Sequence, residues 1–458
     1  MASMTGAHWQ RNGSGMDVAN WMPGVLLLVA LVFGGGVEGI GDSVVYGTAA
    51  IVAGAILWRG WPRQHNAKSV AIDTIVLAAL GLCLLHLVPL PVALTMSDGT
   101  RAQILGELKT VGLSPAWVAI SLDRWASIRA LLAVVVFAAL WWAMRHASAG
   151  ARIHTIKAAI LIAVPMALLA MWQATAKADT TGGHALFMNR NHFATLLTML
   201  LPFAFAAAHS RGKPSSPLAQ AGWYAAAGML LVGIASTFSR AGAVLAGGTL
   251  LASLIFVVWP HIVDRRGRLV AAAVMMAAIT AAVASTAGKL HARFAEGMAG
   301  NLRWEYYLRS WQVLEDYFPW GSGIGTFRAA FQRGEAVESL LSPAWGPGEY
   351  IFALYAHNEP LQVGIEAGLP GLLLVAGFVT VIACAIVATL RPGARTGAWQ
   401  RAAAISVPVP LLHSLVDSPL RTLACIGLLA VALAMLASAQ AGSEVRGVRV
   451  AAPKRPGR

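Results

Sequence analysis

Five polar side chains stand at the ends of apolar runs in this chain: Arg190 in FMNRNHFA, Arg240 in TFSRAGA, Arg303 in NLRWEYYLRSW, His357 in AHNEPLQVGIEAGLPG and Asp417 in HSLVD. An arginine in that place is commonly a snorkelling anchor, with its stem in lipid and its head in water. Three of them flanking polar turns on one face suit a phosphorylated ligand, because guanidinium forks match phosphate oxygens and never lose their charge. His357 opens a segment in which Pro360 fits a first helical turn and Asn358 or Glu359 can cap it. A neutral imidazole there can accept a proton. The plainer role is a histidine that only caps a helix at the interface. Asn358, Gln362 and Glu366 follow at helical spacing, so a polar strip descends from His357 into the apolar run.

Other chemistries lack their residues. There is no DxD pair to hold a metal with a nucleotide-sugar diphosphate, no HExxH and no CxxC, so neither metal nor cofactor is expected. GSGIG at 321–325 lacks the lysine and following helix of a phosphate loop. Cys83, Cys384 and Cys425 all lie inside apolar runs and read as packing residues.

The elements that must position these groups are membrane spans. Of 458 residues, 57% are apolar and 12% charged, about half the usual charged share, which excludes a soluble or disordered chain. Apolar runs at 21–35, 42–58, 70–90, 127–144, 158–173, 191–209, 220–238, 241–260, 269–287, 370–390, 402–416 and 420–440 give about twelve transmembrane helices. The net charge of +14 brings no nucleic-acid motif with it. With the N-terminus inside, 20 Lys and Arg and four acids fall on the inner side, leaving 14 basic and 16 acidic residues outside. That is the distribution of a multi-pass protein with both termini in the cytoplasm, and it puts all five candidates on the outer face.

The longest polar stretch, 289–356, is too long for a simple connector. Its four tryptophans suit the headgroup region. Within it, Trp304, Tyr307, Leu308, Trp311 and Leu314 share one face of a helix, Arg303 flanks that face, and Arg309 is expected on the opposite face, toward water. Pro319 and GSGIG then end the helix in a tight turn. An unbroken helix from Asn358 to Leu390 would run about 50 Å, so a break is expected at Gly368–Pro370. The organisation read from the sequence is an expression-tag segment resembling a phage-derived epitope and linker at 1–15, helices one to nine over 16–288, the outer loop over 289–356, helices ten to twelve over 357–440, and a basic tail over 441–458.

FMNRNHFA, TFSRAGA, NLRWEYYLRSW with FPWGSGIGTF, AHNEPLQVGIEAGLPG and HSLVDSPLR, in this order, resemble the O-antigen ligase and O-antigen polymerase superfamily of bacterial envelopes. The likeness runs from Phe187 to the last span; the first five spans match only in character. It implies an all-α, polytopic, GT-C-like glycosyltransferase of the inner membrane. A ligase of this kind moves O-antigen from undecaprenyl diphosphate to a sugar hydroxyl of lipid A-core at the periplasmic face, in lipopolysaccharide biosynthesis. Carried over by motif, Arg240 and Arg303 hold the diphosphate with Arg190 beside them, His357 is the base, and Asn191, Asn358 and Asp417 support it. A polymerase would use the same donor with another lipid-linked glycan as acceptor. A transporter is the reading from a different class, and Glu366 and His86 are the residues that favour it.

Overall fold

The computed structural model describes residues 18–35, 40–59, 66–95, 99–176, 182–209, 216–261, 302–333 and 353–438. The chain opens with α1 (Val18–Phe33), α2 (Ile40–Arg59) and α3 (Ala67–Leu87). A short excursion follows: β1 (Pro89–Pro91), α4 (Val92–Thr95), α5 (Gly99–Thr110) and β2 (Trp117–Ala119), the two strands pairing antiparallel with Leu90 opposite Val118. Then come α6 (Arg124–His146), α7 (Ala149–Ala176), α8 (Arg190–Ala208), α9 (Pro217–Ser236) and α10 (Arg240–Ser253). After them lie α11 (Leu302–Tyr317), α12 (Phe327–Arg333), α13 (Glu359–Leu390), α14 (Ala398–Ser406), α15 (Pro408–His413) and α16 (Leu423–Ala437).

Among the described residues, eight helices are long and apolar enough to cross a membrane. Two of the remaining expected spans are the shorter apolar helices Trp21–Phe33 and Leu423–Ala437, and the run at 402–416 is divided between α14 and α15. The run at 269–287 and the terminal segments 1–15 and 441–458 lie outside the described residues. The small sheet is an addition to the all-α reading.

α8 is the central post. Every residue from His192 to Ala208 is buried, because α7, α9, α10, α14, α15 and α16 surround it. A second group, α1, α2, α3 and α6, packs against α16. At the inner end of that group by the charge reading, the Asp73 carboxylate accepts hydrogen bonds from both Trp141 and Trp142 indoles and pairs with Arg145 at 2.5 Å.

α13 breaks where the sequence says it must. Gly368 has φ +58°, and Pro370 has no amide hydrogen, so the carbonyls of Ile365 and Glu366 lose their helical partners. The stretch after α11 replaces them: Ser322 N–H donates to Ile365 O at 2.8 Å and Gly323 N–H to Glu366 O at 2.9 Å, while Leu369 N–H donates to Pro319 O. The approach needs glycine, since a Cβ on Gly368 would stand 2.0 Å from Pro319 O and one on Gly321 2.5 Å from Glu366 O. The GSGIG sequence is therefore the plug of a broken helix as well as a turn.

One expectation is corrected. Arg309 does not face water: it is 5% exposed, its guanidinium donates to Phe331 O at 3.0 Å and lies over the Phe331 ring. The inward face of α11 is instead Tyr306, Arg309, Val313 and Tyr317, which join Phe327, Phe331, Ala356 and Ile365 in a small second core, whereas Leu308 and Trp311 are more than half exposed. Stacking and a carbonyl acceptor replace the water that a guanidinium otherwise needs.

Candidate active site

Three helices begin at one end of the bundle: α8 at Arg190, α10 at Arg240 and α13 at Glu359. Gly242 holds the first two together, since a Cβ there would lie 2.7 Å from that of Ala194. The start of α13 is zipped to the turn after α15. Glu359 N–H donates to Ser414 O at 2.8 Å, the Asn358 amide donates to Leu415 O, and Asn358 Oδ1 caps the helix by accepting from Leu361 N–H.

Asp417 is the hub. It is fully buried, and its Oδ1 lies 2.9 Å from His357 Nδ1, 2.9 Å from its donor Ser418 N–H and 3.6 Å from His192 Nε2. The Asn191 amide donates to Oδ2 at 2.5 Å. Burial pushes this carboxyl up, but hydrogen bonds from His192 and His357 outweigh it and hold the group well below the usual carboxylate range. An ionised carboxylate can only accept, so His357 Nδ1 carries the proton between them, and in the neutral ring the lone pair is on Nε2.

His357 is itself held in an uncommon backbone state, with φ +52°. Its carbonyl accepts from the Tyr307 hydroxyl at 3.0 Å, and the Tyr306 ring lies nearly parallel to the imidazole at 6.3 Å between centroids. With a quarter of its side chain exposed, it is the accessible member of a buried set.

The structure thus brings His357, Asp417 and Asn191 into contact, with Asn358 as the cap beside them. Arg190 and Arg240 are the half-buried first residues of two adjacent helices, where the backbone N–H groups and the helix dipole add to their attraction for an anion. Arg303 is placed in the first turn of α11, one turn ahead of the Tyr306 and Tyr307 that touch His357; its side chain lies outside the described residues. Among the described residues, no three His, Cys, Asp or Glu side chains are grouped to hold a metal ion.

Residues 225–376 match the family model described as O-antigen ligase. No curated protein matches the chain significantly. The matched segment contains Arg240, Arg303, His357 and Asn358, whereas Arg190, Asn191 and Asp417 stand outside it on the elements that complete the site.

Two participants escaped the sequence reading. Arg421 donates to Glu359 through Nε at 3.1 Å and to Glu366 through Nη1 at 3.1 Å. His192 lies against Asp417 and near the Asn189 amide. Arg421 had a signal: Glu359 and Glu366 are seven residues apart, hence on one helix face, and Arg421 ends the HSLVDSPLR motif on the side that the charge bias reads as outer. Glu366 also accepts from Gly325 N–H at 3.0 Å and from the Gln362 amide at 2.9 Å, while His86 Nδ1 accepts from Ile324 N–H. Both residues that favoured transport are therefore engaged in holding the glycine-rich loop.

Proposed function

We propose that the protein is an O-antigen ligase that transfers glycan from undecaprenyl diphosphate to a sugar hydroxyl of lipid A-core on the periplasmic face of the inner membrane. The observation that carries this reading is the His357–Asp417 pair at 2.9 Å, set beside two arginine-headed helix N-termini. Arg190, Arg240 and Arg303 hold the diphosphate. His357 Nε2 accepts the proton of the acceptor hydroxyl as its oxygen bonds to the anomeric carbon. The bond from that carbon to the diphosphate oxygen breaks, and the departing charge is met by guanidinium groups, so no divalent cation is needed. Direct displacement inverts the anomeric configuration.

Reconstitution in nanodiscs with a lipid-diphosphate-linked glycan tests this. Glycan joined to lipid A-core supports the ligase; glycan joined only to a second donor molecule makes the chain a polymerase, and uptake without any new glycosidic bond makes it a transporter. Undiminished rate in chelator is expected, and loss restored by magnesium or manganese would contradict the arginine-only leaving-group site.

A further inference from the structure

A cavity of about 580 Å³ lies between α2, α3, α6, α12, α13 and α16. Neither α8 nor α10, which carry Arg190 and Arg240, lines it. We infer that this cavity holds the acceptor as a phosphorylated membrane glycolipid, an assignment that rests on the transferase reading above.

The cavity has two chemistries. Toward the start of α6 it is polar, with Arg129, Arg328, Asp42, Gln332 and Tyr355 on its walls. Elsewhere on the wall, Asp123 caps α6 by accepting from Trp125 and Ala126 N–H, and Glu359 and Glu366 hold Arg421. Guanidinium groups beside a carboxylate and an amide suit a head that carries both phosphate and sugar hydroxyls.

Deeper, the walls are Val76, Ala133, Val134, Phe137 and Leu374, and the Phe137 and Phe378 rings meet edge to face at 6.4 Å. Ala126, Ala130 and Ala133 fall on one face of α6, and their small side chains leave the space open. From Arg129 to Phe137 the helix rises about 12 Å, a substantial part of one leaflet's hydrocarbon. A chain of hydrocarbon fits that depth with its polar head at the rim.

The rim lies beside the segment that carries the base. Tyr355 and Glu359, two residues either side of His357, line the cavity. An acceptor held here would therefore sit next to the His357 segment on elements other than the two helix starts that carry Arg190 and Arg240. Two lipid-borne substrates need two berths, and among the described residues Arg190 and Arg240 are absent from this one.

The test uses the full chain in nanodiscs, with Ala133→Trp filling the apolar end, Val375→Trp doing so from the facing helix, and a double Arg129→Gln, Arg328→Gln variant removing the cations. Binding of core-terminated lipid A and of a lipid-diphosphate glycan is measured separately, without turnover, on protein that keeps its unfolding temperature. The acceptor's Kd should rise at least about tenfold in the folded variants while the donor's stays within about twofold. Loss of donor binding instead would make this the donor's berth, and unchanged binding of both would leave it to ordinary bilayer lipid; either result overturns the inference. Wild-type binding of the acceptor that tryptophan abolishes, with no transfer under any condition, would keep the cavity and sink the proposed reaction.

Discussion

An imidazole can take a proton only while one ring nitrogen keeps its lone pair, and the Asp417 carboxylate secures this for His357 by claiming Nδ1–H. Asp417→Asn upsets that order: Asn191 already donates to Oδ2, so an amide nitrogen there meets a donor, and the flipped amide presents its nitrogen to His357. Turnover of the variant should fall by about 10²-fold or more, with donor affinity little changed. Single-turnover and binding measurements on one preparation separate the two effects. The same carboxyl fixes a pH dependence. Its pKa in the folded state lies below the ordinary value of 3.8, so it contributes stability that is present above about pH 4 and lost as pH falls through the depressed value. The stability gap between wild type and Asp417→Asn should be constant near neutrality and narrow in acid; a gap that widens in acid would show that the carboxylate is not held by these bonds.

Helix α13 carries the polar strip only because its first turns are built as a separate piece, cut at Gly368 and plugged by the glycine-rich loop. Gly368→Ala sets a Cβ against Pro319 O in a left-handed backbone, and should destabilise by at least about 1–2 kcal/mol while lowering activity through displaced His357. Arg421→Ala leaves Glu359 and Glu366 facing each other in a buried place, a loss of about 3–5 kcal/mol that Arg421→Ala with Glu359→Gln and Glu366→Gln should partly recover. Thermal unfolding in detergent measures both. The break itself was legible from Gly368, Pro370 and the excess length of the run, but its plug was not, because nothing local in GSGIG states which carbonyls it will meet. α11 shows the opposite difficulty. A helix wedged between lipid and protein is apolar on two faces, so the stripe with Leu308 and Trp311, which resembles a core, is the exposed one, and Arg309 was read outward. Arg309→Ala should accordingly cost about 1–3 kcal/mol, because it empties the contact with Phe331.

At the scale of the whole molecule, the span pattern and charge bias are the most legible features, since a bilayer imposes length and sidedness on any helix that crosses it. Which helices touch is not, because lipid and protein are equally apolar neighbours; the central place of α8 and the joining of 417 to 191 and 357 come from packing alone. The charge bias predicts that single cysteines at Trp311 and Leu415 label from the periplasmic side in intact spheroplasts, and labelling only after the membrane is opened would reverse the topology. What the sided bundle does with its site turns on one proton. The decisive measurement is the single-turnover rate of His357→Ala in nanodiscs at saturating donor, with donor Kd determined on the same sample. The rate should fall by about 10²–10⁴-fold while the Kd stays within about twofold. A near-normal rate would reduce His357 to a helix-capping residue and remove the base from the proposed reaction.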